Sequence, residues 1–297
     1  MMQFILTGEP EEKNIHRIIS SAILFLWFMT FAMNFIAFSI YSKSNEVAKK
    51  LYYRTLLAMQ AKILLIQAIS GFLWFIITVY IFISTLIFER KEKYNILSGV
   101  MFLASGIAEL VLSLYSLDIR SQLMDYVKKF PLLSIHELNE GLYDIMTRVQ
   151  VIVFAGGIII NVSIGLAFIF LGLSVRKTVA ELEKEVYDLQ SVIAQQVSVE
   201  SDKASMFGSY MGAMVTNRMW EGLKKMRSGA SMYIASGVLD ILSIFIPSFA
   251  MISFFLFIIG MMMIGSGRKM MIEARKNIQT LLHPPEKIPS AVEGDEN

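Results

Sequence analysis

Long apolar runs separated by shorter polar segments dominate this chain. Six of them approach or exceed the roughly 20 residues that a helix needs to cross the hydrocarbon core of a bilayer. They cover residues 18–41, 63–88, 94–117, 149–173, 230–246 and 248–265. Pro247 lies between the last two runs, and its ring blocks helix continuation there, so these runs predict a tight helical hairpin. The pattern predicts an all-α, polytopic membrane protein with six transmembrane helices.

Composition and charge favour the same class of protein. Hydrophobic residues make up 55% of the 297 positions and charged residues 18%, with a mean hydropathy of +0.56. The net charge of +2 favours no nucleic-acid partner. Lys and Arg are concentrated in the segments that six spans place on one side, so both termini are predicted to be cytoplasmic in a protein of the cell membrane. The predicted order is a cytoplasmic N-terminus (1–17), spans one to three (18–117), outer amphipathic helices (118–148), span four (149–173), a cytoplasmic helical region (174–229), the hairpin of spans five and six (230–265) and a cytoplasmic tail (266–297).

Residue type and spacing exclude several chemistries. The chain has no cysteine, which excludes disulfides, thiolate metal ligands and cysteine nucleophiles. Its three histidines, His16, His136 and His283, lie far apart in the sequence, so no histidine metal centre is predicted. No phosphate-binding glycine loop, HExxH helix or G-x-S-x-G turn occurs. We therefore predict no enzymatic activity, no catalytic or metal-binding residue and no cofactor.

The polar segment 118–148 has the periodicity of two helices. Ile119 and Leu123 recur on one helical face before Pro131 ends the run, and a capping box starts a second helix at Ser134. We expect both helices to lie on the membrane surface or to cover the spans. Binding of an external ligand is the alternative.

The segment 174–229 begins with a heptad-like seam of apolar residues three and four positions apart. The seam comprises Val179, Leu182, Val186, Leu189 and Ile193. Charged residues fill the positions between them, as in an amphipathic or coiled-coil helix. Two interpretations stay open: the helix lies against its own chain, or it joins subunits as a coiled coil.

Two stretches of the chain resemble each other. Residues 101–110 and 232–241 match identically or conservatively at all but one position, and both contain Ala-Ser-Gly. The ends of the spans that follow also match, at residues 174–177 and 266–269. The pattern predicts a tandem hairpin repeat, in which spans three and four recur as spans five and six with the same orientation.

Small residues mark both copies and the fourth span. Ala-Ser-Gly lets helix backbones approach closely, so its alanine and glycine are predicted to lie at helix interfaces in each copy. Gly157, Asn161 and Gly165 recur at every fourth position of span four, which predicts that this span is also an interior helix.

Each copy carries one carboxylate, Glu109 or Asp240, inside an apolar run. A charged carboxylate costs roughly 2.5–3.5 kcal/mol at the bilayer centre, so such groups face the protein interior, pair or stay protonated. The candidate polar neighbours of these acids are Asn161, Gln67, Asn34, Ser105 and Ser236. If the repeat brings the acids together, they form a shared-proton or cation site; otherwise each is a hydrogen-bond anchor.

A further stretch carries a family resemblance. Residues 221–230, Glu-Gly-Leu-Lys-Lys-Met-Arg-Ser-Gly-Ala, run into the second Ala-Ser-Gly span. They resemble the corresponding part of an uncharacterised family of multi-pass membrane proteins from thermoacidophilic archaea. The resemblance implies a multi-pass protein and gives no residue a role.

Two functions are consistent with these patterns. The first is a non-enzymatic scaffold or accessory subunit, held in the lipid bilayer as a homo-oligomer or within a membrane complex. The second is a channel or secondary transporter for protons, cations or a small solute, using Glu109 and Asp240.

Overall fold

The structure, a computed structural model, covers most of the chain between residues 53 and 282. It describes residues 53–88, 93–129, 135–199, 203–246 and 248–282, with scattered helical positions between 25 and 40. Apart from those positions, the predicted first span (18–41) lies outside the described residues, as do the predicted N-terminus (1–17) and residues 283–297.

Every regular element in the described ranges is an α-helix, which confirms the predicted all-α fold. The long helices are α1 (Tyr53–Phe88), α2 (Lys93–Lys129), α3 (Ile135–Val199), α4 (Lys203–Leu242) and α5 (Ser248–Leu282). A turn at residues 243–246 follows α4, and its backbone amides donate to carbonyls near the helix end.

Four helical segments are long and apolar enough to cross a membrane: Leu57–Ile87, Lys93–Lys129, Tyr143–Ser191 and Ser248–Asn277. Their length and apolarity suit a multi-pass membrane protein, whereas the predicted count of six spans is not confirmed. The first predicted span lies outside the described residues, and α4 is not among the four segments. The apolar end of α4, residues 230–242, is about 20 Å long at the helical rise, against a hydrocarbon core of about 30 Å.

The helices continue through the predicted ends of the spans. α2 extends beyond residue 117 to Lys129, and α3 combines the second outer helix, span four and the inner seam in 65 residues. This continuity has a simple physical reason. A helix satisfies its backbone groups in lipid and in water alike, so leaving the membrane requires only a change in side-chain polarity.

Contacts divide the chain into two compact units. Unit 1 comprises Met1–Leu171 and Ile234–Phe254, and unit 2 comprises Gly172–Tyr233 and Phe255–Asn297. Within unit 1, the extension of α2 contributes Ile119 and Leu123 to a buried cluster with α1 and α3. The other buried members are Leu57, Ala61, Leu64 and Ile145. The apolar face predicted for the outer segment therefore packs on its own chain.

Unit 2 buries the apolar seam of α3. Val179 and Val186 are 1% and 0% exposed, and Leu182 and Leu189 are half-buried. The side chain of Ile193 lies outside the described part of the structure. Because a single chain already covers the two valines, the burial favours a helix that lies against its own chain over a seam between subunits.

Contacts on both sides of the seam join α3 to its neighbours. The ring of Tyr187 meets that of Trp220 in α4 edge-on, with centroids 4.9 Å apart. Ion pairs join Glu183 to Arg227 in α4, and Glu185 to Arg275 in α5. Unit 2 is thus a three-helix bundle with an apolar centre and a charged surface.

Candidate functional site

Helices α1 and α2 meet through pairs of small residues. Each pair joins a glycine to a serine or threonine: Gly71 with Ser113, Gly106 with Thr78, and Gly99 with Thr85. A β-carbon on any of these glycines would collide with the hydroxyl group opposite. The two helices therefore approach closely, and each glycine makes room for the hydroxyl-bearing side chain of the other helix.

These pairs recur every seven residues along both helices. A seven-residue period is slightly shorter than two turns of a straight α-helix, so it keeps the partners in contact when the helices supercoil left-handedly. The hairpin therefore packs like an antiparallel coiled coil, with small residues in place of large apolar ones.

Most hydroxyl groups in this interface bond to their own helix. Thr78 and Thr85 each donate to a backbone carbonyl within α1, at 2.9 and 2.8 Å. Ser105 donates to a carbonyl within α2 at 2.7 Å and accepts a hydrogen bond from Trp74 Nε1 of α1 at 3.2 Å. Close packing, with one cross-helix bond from Trp74, thus joins the two helices here.

Helices α4 and α5 use the same seven-residue interval with different pairs. Each pair joins two identical residues: Gly222 with Gly267, Gly229 with Gly260, and Ser236 with Ser253. A β-carbon on Gly229 would lie 2.7 Å from the carbonyl oxygen of Gly260. The serine pair exchanges two hydrogen bonds, because each hydroxyl donates to the other residue's carbonyl at 2.9 Å.

The seven-residue interval was not predicted, because the predicted contacts rested on small residues one helical turn apart. The signal is present in the sequence as four runs of small residues spaced by seven: 71/78/85, 99/106/113, 222/229/236 and 253/260/267. The glycines predicted at every fourth position of span four, which is part of α3, differ in their surroundings. A β-carbon on Gly165 would lie 2.5 Å from the Gly237 carbonyl oxygen. One on Gly157 would have no neighbour within 4 Å among the described residues, so this glycine makes no close contact with the helices described here.

The two Ala-Ser-Gly copies have different neighbours. Gly106 faces Thr78 of α1, whereas Gly237 faces the backbone of α3 at Gly165. The serines of both copies are fully buried. The predicted packing role of the motif is therefore met in each copy by a different partner helix.

Glu109 lies at the interface between α1 and α2. It is half-buried, and its Oε2 atom would lie 3.2 Å from a β-carbon on Gly71. Ser113, one turn along α2, is 2% exposed, and its hydroxyl has no hydrogen-bond partner among the described residues. A carboxyl group and an unpartnered hydroxyl thus pack against the same glycine.

Asp240 lies at the interface between α4 and α5. It is half-buried and interacts with the hydroxyl of Ser253. Because Ser253 also bonds to Ser236, the predicted neighbour Ser236 is linked to Asp240 through Ser253. The contacts described for Glu109 and Asp240 lie at different helix interfaces.

The other predicted polar neighbours lie elsewhere. Gln67 is exposed on α1, and Asn161 is half-buried on α3. Asn34 lies outside the described residues. Among the described residues, no group of three His, Asp or Glu side chains has the arrangement of a metal site.

A polar groove of about 420 Å³ lies between the extension of α2 and the beginning of α3. It is lined by Gln122, Asp125, Tyr126, Lys129, Asp144, Ile145 and Arg148. Both of its acids are paired: Asp144 with Arg148, and Asp125 with Lys128 at 3.5 Å. The groove is a solvated, mixed-charge surface, and ligand binding there stays a prediction.

Comparison with known proteins adds no family to these observations. No protein-family model matches the chain, and no similar curated protein or solved structure was found. The resemblance noted for residues 221–230 therefore stays a prediction.

Proposed function

We propose that the chain is a non-enzymatic structural subunit of a membrane assembly. The observation that carries this proposal is the pairing of small residues at seven-residue intervals in both α1–α2 and α4–α5. At these glycines the helices leave no room for an added methyl group. The same interfaces therefore leave no room for a solute to pass between the two helices. Interfaces packed to this density also resist sliding, since protein interiors deform little.

The positions of the acids support the same proposal. Glu109 lies at the α1–α2 interface near the hydroxyl of Ser113. Asp240 lies at the α4–α5 interface next to the hydroxyl of Ser253. Two acids in separate interfaces favour separate structural roles over a shared site, and Asp240 interacts with Ser253 within its own helix pair.

The proposed subunit is a tandem repeat of two hairpins. Aligning residue 101 with 232 and residue 174 with 266 makes Phe102 equivalent to Tyr233 and Phe168 equivalent to Gly260. The rings of Phe102 and Phe168 are in edge contact, with centroids 5.7 Å apart. A β-carbon on Gly260 would lie 2.8 Å from the Tyr233 ring. Agreement between these equivalent contacts supports a common hairpin register.

The face proposed to meet other subunits lies on α5. Only 17% of its apolar window is buried within the chain, against 33–44% for the other three segments. Met251, Phe255 and Met262 recur on one side of this helix and are 57–69% exposed. A second copy of the chain or another membrane subunit would cover this face.

The mass of the purified protein in mild detergent tests the assembly proposal. We expect an oligomer of the 33.6 kDa chain that dissociates when Met251, Phe255 and Met262 are replaced by serine. The matched control replaces Ile76, Ile83 and Ile87 by serine, since these are comparably exposed residues of α1. A single-chain mass for the native protein would count against a homo-oligomer, and equal dissociation in both variants would count against this face.

A second candidate function rests on a specific observation at Glu109. The buried, unpartnered hydroxyl of Ser113 beside this carboxyl group could bond to a transported proton carrier or cation. A channel or secondary transporter that uses Glu109 and Asp240 is therefore the alternative.

Flux through reconstituted vesicles separates the two functions. For a structural subunit, proton and cation flux should equal that of empty vesicles, and Glu109→Gln with Asp240→Asn should leave it unchanged. Flux in the native protein that is lost in this double variant but kept in the exposed control Glu181→Gln would establish transport and overturn the structural proposal.

A further inference from the structure

The three helices of unit 2 share an order of charges along their axes. Moving away from the apolar runs, the first charged residue is Arg176 on α3, Arg227 on α4 and Arg268 on α5. The first acid comes only five or six residues further on each helix, at Glu181, Glu221 and Glu273. The charges are thus ordered along each helix, with the basic residues nearest the apolar run, whereas a solvated helix face would mix them along its length.

We call the basic residues of this first level the basic collar. It comprises Arg176, Lys177, Lys224, Lys225, Arg227, Arg268 and Lys269. The segment without acids is about 8 Å deep along each helix, at 1.5 Å per residue. This depth is comparable with the layer that lipid headgroups occupy beside the hydrocarbon core.

Hydrogen bonds link the helices that carry the collar. Arg176 Nη2 donates to Ser231 Oγ of α4 at 3.1 Å, and Lys225 Nζ donates to Ser266 Oγ of α5 at 3.5 Å. Most collar side chains are nevertheless exposed, and that of Lys269 is 80% exposed. The collar therefore presents donors from three helices without burying them.

Beyond the collar, acids neutralise the basic residues. Arg218 pairs with Glu273 at 2.6 Å, and Arg275 pairs with Glu185. In the collar itself, Arg227 pairs with Glu183, and Lys269 pairs with Glu273 at 4.0 Å. Along each of the three helices, the excess of basic over acidic residues lies in the segment nearest the apolar run.

We propose that the basic collar binds the phosphate groups of anionic phospholipids in the leaflet that surrounds these three helices. Basic residues next to a span attract anionic lipid headgroups, and arginine and lysine both donate to phosphate oxygens. A lipid source is favoured over a soluble phosphate because the donors are exposed on three helices and lie next to the apolar run of each. The proposal is independent of whether the chain is a structural subunit or a transporter.

Lipid binding can be measured on the full-length protein in detergent. Dansyl-labelled phosphatidylglycerol is titrated in, and energy transfer from tryptophan reports binding. The collar variant carries Lys177, Lys224, Lys225 and Lys269 as glutamine and keeps every arginine. We expect its affinity for this lipid to fall by on the order of 100-fold or more.

A matched control removes the same number of positive charges further from the spans. It carries Lys184, Arg218, Arg275 and Lys276 as glutamine, and we expect its affinity to stay within a few-fold of the native protein. Equal loss of affinity in both variants would overturn the collar in favour of a net-charge effect. Labelled phosphatidylcholine, which is zwitterionic, should bind weakly to all three proteins, and equal binding of both lipids to the native protein would also overturn the proposal.

Two further measurements test whether the binding is electrostatic and whether it requires a lipid. Raising the salt concentration to about 0.5 M shortens the screening length and should weaken phosphatidylglycerol binding to the native protein, without any mutation. Glycerol phosphate at millimolar concentration should not displace the labelled lipid. Displacement would identify a site for soluble phosphate and overturn the lipid assignment, and unchanged binding in high salt would exclude electrostatic recognition.

Discussion

Hairpins α1–α2 and α4–α5 both bring small residues together every seven positions, but they differ in what faces each glycine. In α1–α2 every glycine faces the side chain of a serine or threonine. In α4–α5 glycine faces glycine, and the backbone carbonyl of the partner fills the space. A side chain can be shortened by mutation, whereas a carbonyl cannot. The two hairpins should therefore respond differently to the same substitution.

The largest effect is expected where glycine meets backbone. Gly229→Val places a branched side chain against the Gly260 carbonyl, so we expect destabilisation of about 3 kcal/mol or more and loss of monodisperse protein. Gly265→Val is the control, because a β-carbon there has no neighbour within 4 Å. Reversible unfolding in SDS, followed by circular dichroism, measures both. Equal stability of the two variants would contradict the close backbone packing.

An intermediate effect should appear where glycine meets a side chain. Gly99→Ala should destabilise by about 1–3 kcal/mol because its new methyl group meets the hydroxyl of Thr85. Adding Thr85→Ala removes that hydroxyl group. The double variant should therefore lose less unfolding free energy than the two single variants lose together, by about 0.5–3 kcal/mol.

The corresponding cycle in α4–α5 should show less rescue. Gly229→Ala meets both the Gly260 carbonyl and the side chain of Ile264, and Ile264→Ala removes only the second. The same unfolding measurement applies. Two outcomes would contradict the distinction between the hairpins. One is that Ile264→Ala fully restores the stability lost in Gly229→Ala. The other is that the effects of Gly99→Ala and Thr85→Ala on stability are purely additive.

The smallest effect concerns the serine pair. Ser236→Ala removes the hydroxyl that bonds to Ser253, yet hydrogen bonds between membrane helices contribute only about 0.6 kcal/mol on average and 1.7 at most. We expect a loss of that size in the same assay, with Ser121→Ala, at an exposed position of α2, as control. A loss above about 3 kcal/mol would show that hydrogen bonding, and not close approach, dominates the α4–α5 interface.

Several elements could be predicted from sequence because their signal is local. Apolar runs correctly indicated α1, α2, α3 and α5 as helices fit to cross a membrane. The span predicted at 230–246 was harder to assign, because its short apolar run continues a polar, basic helix and itself contains Asp240. The helical seam of Val179 and Val186 was also visible, whereas the helices that cover it could not be inferred from it.

In the candidate site, the polar residues could be predicted from the sequence, but their partners could not. Sequence alone identified Glu109, Asp240, Ser105 and Ser236 as polar residues in apolar surroundings, because their neighbours along the chain are apolar. It did not identify Trp74 as the partner of Ser105 or Ser253 as the partner of Ser236, since each partner lies on another helix.

The sequence by itself determined that this protein is built of long helices, most of them apolar enough for lipid, because helix formation and transfer into lipid depend on residues within one segment. Only the tertiary structure decided which helices meet and which glycines lie between them. Gly157 and Gly165 occupy similar positions in one apolar helix, yet within the described ranges a neighbouring backbone lies against Gly165 and not against Gly157. Lipid tails are as apolar as leucine, so the choice of partner depends on van der Waals fit between two surfaces and not on the polarity of either.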